Sequence, residues 1–154
     1  MESRAFFYEF GRMLYRVDGF YADYARESGV KENLLWILYA LNDGEEHSQK
    51  EICESWDLPR TTVNTIVKEL KDDGLVALSQ IPGEKRELRL KLTARGQAYA
   101  DEVLKPLYGI EKKAFEAAAP SGLLGTMAGL LGTMAGLLAC LQAEKEKSRK
   151  ENRT

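Results

Sequence analysis

Apolar side chains near the start of the chain recur at three- and four-residue steps: Phe6, Phe10, Met13, Leu14, Val17, Tyr21 and Tyr24. This spacing predicts a helix over residues 4–27 with an unusually aromatic stripe, closed by Gly29. The run LLWILYAL is apolar on nearly every side, so a second helix over residues 31–41 should be buried. Asn42-Asp43-Gly44 ends it with turn chemistry. Ser48-Gln49-Lys50-Glu51 has the Ser-x-x-Glu spacing of a capping box and predicts a short helix with Ile52 and Trp56 on its inner face. Asp57 and Leu58 break that helix, and Pro59 suits the first turn of the next. From about Arg60 to Asp73, Val63, Ile66, Val67 and Leu70 fall on one side, and Gly74 offers a left-handed stop. Two helices separated by so short a break have the sequence form of a helix-turn-helix.

The period then changes. Residues 75–78 (LVAL) form a short strand candidate, and Pro82-Gly83 suit the centre of a type II turn over residues 81–84. Leu88, Leu90 and Leu92 alternate with Glu87, Arg89 and Lys91, the pattern of a half-buried strand. A β-hairpin directly after the second helix of the motif is a wing. Thr93 caps a long amphipathic helix over about 94–118 with Pro106 inside it, and a last helix is expected over 121–147. The fold class is therefore mainly α with a small β-hairpin wing.

The final helix contains the heptapeptide GLLGTMA twice in succession, at 122–128 and 129–135, with no charged residue between Ala117 and Ala143. Two GxxxG spacings suggest either a membrane span with a packing seam or a dimerisation helix lengthened by one duplicated heptad. Dilution of the leucines by Gly, Thr and Ala favours the second reading. Five glycines would cost an isolated helix about 1 kcal/mol each, so a packing partner is needed to offset them.

A net charge of −2 gives no global sign of a polyanion partner, but its distribution does. Residues 1–58 carry 6 Lys/Arg against 12 Asp/Glu, whereas residues 59–95 carry 8 against 5. A basic middle in an acidic body points to a local polyanion site. Cys53 and Cys140 stand far apart without metal-ligand spacing, which fits a reducing cytoplasm. His47 is the lone histidine, and Glu45-Glu46-His47 is too thin for a metal site. With no nucleophile–base constellation, P-loop or dinucleotide fingerprint in the sequence, neither an enzyme nor a cofactor is expected.

Setting Val63, Ile66, Val67 and Leu70 inward turns Thr61, Thr65 and Lys68 outward, with Thr62 and Asn64 flanking them. Their hydroxyl and amide groups suit base edges in a major groove, while Arg60 and Lys68 suit phosphates or guanine. Glu69 and Asp72 also lie outside, which places the contact in the first half of the helix. Lys85 and Arg86 at the hairpin tip suit a minor groove, and Ser48 and Gln49 suit a phosphate.

The order of elements, and residues 57–96 above all, resembles the MarR family of transcriptional regulators. The matching features are Leu70-x-x-x-Gly74-Leu75-Val76, the wing tip Glu84-Lys85-Arg86, and Leu92-Thr93-x-x-Gly96. The chain departs from the pattern at Ala77 and Leu78, where a basic residue is common, at Glu84 in place of the commoner Asp, and in the duplicated heptad. The resemblance implies a winged helix-turn-helix held as a homodimer by its N- and C-terminal helices. It divides the chain into an N-terminal dimerisation helix (1–30), a DNA-binding domain (31–96), the long and terminal helices (97–147) and a disordered tail (148–154). It implies a cytoplasmic, ligand-responsive repressor on a pseudo-palindromic double-stranded DNA operator, with Glu84 steering Arg86. It also implies a small aromatic or phenolic effector, for which Phe10, Arg12, Tyr15, Arg16, Trp36 and Tyr39 are the candidate lining. The competing readings are a winged-helix protein-interaction module and a membrane-tethered regulator.

Overall fold

The computed structural model describes residues 2–80, 88–118 and 123–151. Its elements run α1 (Ser3–Glu27), α2 (Glu32–Leu41), β1 (His47–Ser48), α3 (Gln49–Trp56), α4 (Arg60–Asp72), β2 (Val76–Gln80), β3 (Leu88–Leu92), α5 (Ala94–Ala118) and α6 (Leu123–Glu151). The chain forms two compact units, Met1–Tyr108 and Gly109–Thr154, with α5 passing from one to the other.

In the first unit α2 is the centre, as its uniformly apolar run dictates. Leu35, Ile37, Leu38 and Leu41 are completely or almost completely buried. Ile52 of α3, the inner face of α4, Leu90 of β3, and Ala100, Val103, Leu104 and Leu107 of α5 belong to the same core. Only the C-terminal end of α1 joins it. Ala25 is buried, Tyr21 packs on Trp36 with ring centroids 4.7 Å apart, and Tyr24 Oη donates to the Val103 carbonyl at 2.6 Å. Earlier on the predicted stripe, Phe6, Met13, Leu14 and Val17 stay exposed. The spacing identified the helix, but not how little of its stripe one chain covers.

The sheet has three antiparallel strands in the order β1-β3-β2. Val76 faces Leu92 and Leu78 faces Leu90 in the hairpin, while His47 and Ser48 pair with Leu90 and Arg89 on the other edge. The two-residue β1 is too short to show a period and was invisible to the pattern. The expected turn over residues 81–84, with Glu84, Lys85 and Arg86, lies outside the described residues.

A tight junction sets the wing against the helices. Gly74 ends α4 with φ +69°, and Leu75 N donates to the Leu70 carbonyl at 2.8 Å. Thr93 Oγ1 accepts from Gly96 N at 3.0 Å, capping α5 as predicted, and donates to the Gly74 carbonyl at 2.8 Å. A Cβ built on Gly96 would stand 1.8 Å from the Leu75 oxygen, so this position admits only glycine. The Leu-Thr-x-x-Gly motif is thus a fastener between α4, β2 and α5.

In the second unit α6 continues to Glu151, beyond the expected end at Lys147 and into the segment expected to be disordered. The Lys/Glu-rich sequence favours helix there, and Lys147 pairs with Glu144 at 2.6 Å. Leu130, Leu131, Leu138 and Leu141 are exposed along it. Among the described residues no helix is long and apolar enough to cross a membrane.

Candidate nucleic-acid interface

The capping box at the start of α3 is fully formed. Ser48 Oγ accepts from Glu51 N at 3.1 Å, and Glu51 Oε2 accepts from Ser48 N at 2.7 Å. The same carboxylate pairs with Arg89 of β3, tying the helix to the base of the wing. The Ser48 backbone hydrogen bond first, and Arg89 second, hold the Glu51 carboxyl below its ordinary value. Ser48 is only 1% exposed, so its hydroxyl serves the cap and does not stand at the surface where a phosphate contact was expected. Gln49, next in the chain, is half-buried, and Lys50 is exposed.

Between the two helices, Asp57 takes the left-handed conformation at φ 50°, the one non-glycine residue to do so among the described residues. Pro59 then stands at the N-cap of α4. Val63, Ile66, Val67 and Leu70 are at most 7% exposed, so the rotation of α4 is fixed by its apolar face. Arg60, Thr61, Asn64, Thr65 and Lys68 are exposed on the other side, with Thr62 half-buried, as the 100° spacing requires. The Thr65 hydroxyl donates to the Thr61 carbonyl at 3.0 Å.

The structure gathers part of the predicted set. An open cleft of about 550 Å³ is lined by Gln49, Lys50, Arg60 and Asn64, together with Cys53, Glu54 and Leu88. Thus the first turns of α3 and α4 and the first residue of β3, at the loop end of the hairpin, meet at one surface. Lys50 and Leu88 were missed by the sequence reading. Nothing in their local pattern shows that they face Arg60, since only the helix packing brings them there. Lys50 Nζ stands 3.9 Å from Glu54.

The candidate effector residues are not brought together. Arg12 pairs with Glu9 at 2.6 Å, and Tyr15 is 83% exposed. Arg16 lines a shallow surface groove with Met13, Val17, Phe20 and Tyr21, and Phe10 stacks on Phe6. Trp36 and Tyr39 instead join Trp56 and Tyr108 in an aromatic cluster, with Trp36 stacked on Trp56 at 5.3 Å. His47 Nε2 is hydrogen-bonded to both carboxylate oxygens of Asp43, and among the described residues no three His, Cys, Asp or Glu side chains are placed to hold a metal ion. Cys53 packs partly buried against the core, and Cys140 is exposed.

A short helix, a braced second helix with a polar outer face, and a wing on a three-stranded sheet define the class: a winged helix-turn-helix protein. Residues 28–87 match the sequence model of the MarR family. The HTH-type transcriptional repressor NicR of Pseudomonas putida is 36% identical over 67 residues, which are 44% of this chain and 42% of the repressor. The chain therefore matches less than half the length of that curated relative. Among solved structures, a MarR family regulator from Neisseria meningitidis superposes with a TM-score of 0.76 at 24% identity, covering 89% of this chain and 96% of that one. BpsR of Bordetella bronchiseptica, whose DNA binding is regulated by 6-hydroxynicotinic acid, gives 0.63 at 22% identity over 82% of this chain and 98% of its own. At these identities the two structures speak for the fold.

Proposed function

We propose that the chain is a sequence-specific, double-stranded DNA-binding transcriptional regulator, a repressor acting as a homodimer on a pseudo-palindromic operator. The observation that carries this reading is the outer face of α4. Its apolar side is locked into the core, while Arg60, Thr61, Asn64, Thr65 and Lys68 stand exposed together. Gln49 and Lys50 border the same surface from α3. Base-edge readout belongs to Thr61, Asn64 and Thr65, and phosphate contact to Gln49, Arg60 and Lys68. Lys85 and Arg86 complete the set as minor-groove contacts of the wing. Ser48 drops out of it, because its side chain is buried in the cap.

The effector proposal rests on the resemblance and on the BpsR precedent. A small aromatic ligand would meet the aromatic cluster around Trp36 and Tyr39, where its arrival is readable by tryptophan fluorescence. The test of the main reading is fluorescence anisotropy with a duplex from the gene's own upstream region and a scrambled duplex, over a range of salt. The expected result is an affinity that falls steeply with salt and is on the order of a thousandfold greater for the upstream duplex. No salt-dependent affinity for either duplex would favour a protein-interaction module instead.

A further inference from the structure

On the other side of α4 lies a second cleft, about 500 Å³, that shares no residue with the polar face. Its apolar lining comes from three helices and the start of the wing: Leu34 of α2, Ile66 and Leu70 of α4, Leu75 after it, and the exposed Ala98 of α5. The ring of Tyr99, half-buried, contributes a wall. Glu69, Asp73 and Glu102 stand at the same cleft with Arg95 as the one basic lining residue, leaving carboxylates in excess. None of these four side chains has an ion-pair partner among the described residues. The volume lies within the range of small-molecule sites. An apolar lining, an aromatic wall and a carboxylate surround are the combination that attracts a cation carrying an apolar body, through burial, cation–π attraction and charge.

We propose that this cleft binds an organic cation with an apolar body, of the alkyl- or aryl-ammonium class. An anion of the same shape would meet Glu69, Asp73 and Glu102 and be repelled. A neutral molecule would gain the apolar lining without the charge. The electrostatic field of the cleft also registers on Tyr99: burial first, then Glu102 and Asp73, raise the pKa of its hydroxyl. The inference concerns the free protein and stands apart from the DNA-binding reading, so either can fail without the other.

The test is calorimetric titration of the full chain with benzyltrimethylammonium, alongside benzyl alcohol and benzoate as neutral and anionic counterparts. Saturable binding of the ammonium, at least tenfold tighter than either counterpart, is expected. The double variant Asp73→Asn/Glu102→Gln should weaken it fivefold or more with an unchanged circular dichroism spectrum. The single variant Glu69→Gln, at an exposed position, should weaken it by a smaller factor and provides a second reading if the double variant folds poorly. Amide shifts on titration should centre on Leu34, Ile66 and Tyr99. No saturable binding, equal binding of benzyl alcohol, or full affinity in both variants would overturn the proposal.

Discussion

Two residues show how much of this protein hangs on single atoms. Gly96 lies where a methyl group would enter the Leu75 carbonyl, which is backbone and cannot swing away. Gly96→Ala should therefore cost about 3 kcal/mol or more, seen as a large drop in the urea midpoint. A loss below about 1 kcal/mol would show that the junction can open without penalty. Glu51 is the other. Its carboxyl is shared by the Ser48 amide and Arg89, and its folded-state pKa is depressed below 4.5. A depressed acid stabilises the fold above its unfolded pKa, and that contribution is lost as pH falls through the lower folded value. Stability of the protein should thus decline from about pH 4.5 downward, and Glu51→Gln should flatten that decline. Parallel acid titrations of the two proteins would refute this role of Glu51.

At the scale of elements, α3 and α4 divide their labour. Glu51 and Arg89 fasten α3 to β3, so the short helix and the central strand of the sheet are held as one piece. The buried side of α4 sets its rotation, and every residue on the exposed side is thereby placed. Asn64→Ala and Thr65→Ala should lower discrimination between operator and scrambled duplex by about 1–3 kcal/mol for a good base contact, with little change in binding to the scrambled duplex. Lys68→Ala should weaken both duplexes alike and reduce the salt slope by about one. If Asn64→Ala and Lys68→Ala gave the same profile, the division between base and phosphate contacts would be wrong. Thermal melts of each variant should match the parent, since these side chains are exposed and contribute no packing.

At the scale of the whole molecule, the exposed apolar surface decides the expectation. Met13, Leu14, Val17 and Phe20 on α1 are each more than 40% exposed, and so are Leu130, Leu131, Leu138 and Leu141 on α6. So much exposed apolar surface on two long helices calls for cover. The proposed homodimer would supply it, and would also bring two reading heads to half-sites about one DNA turn apart. Light scattering after size exclusion should give about twice the 17.3 kDa chain mass at micromolar concentration. Met13→Glu/Val17→Glu should shift it toward the monomer and reduce operator affinity. A wild-type monomer at that concentration would remove the dimer from the proposal.

Amphipathic spacing, a capping box, Pro59, Gly74 and the alternating leucines of β3 were enough to place the helix-turn-helix and its wing, because each is a local rule read within a few residues. They also gave the outward set on α4, since a helix with a known buried side has a known exposed one. Ser48 marks where that reasoning ends: its capping role was legible, but its burial came from the pairing with Arg89 across the sheet. The strand β1 and the meeting of Lys50, Arg60 and Leu88 likewise depend on contacts between segments distant in sequence. So does the clash that requires Gly96. The acid-lined cleft behind α4 is of the same kind, drawn from three helices, and the charges at the end of α4 and on α5 look like ordinary solvated surface when read along the chain. Periodicity reports which way a side chain faces, whereas only packing decides what it faces.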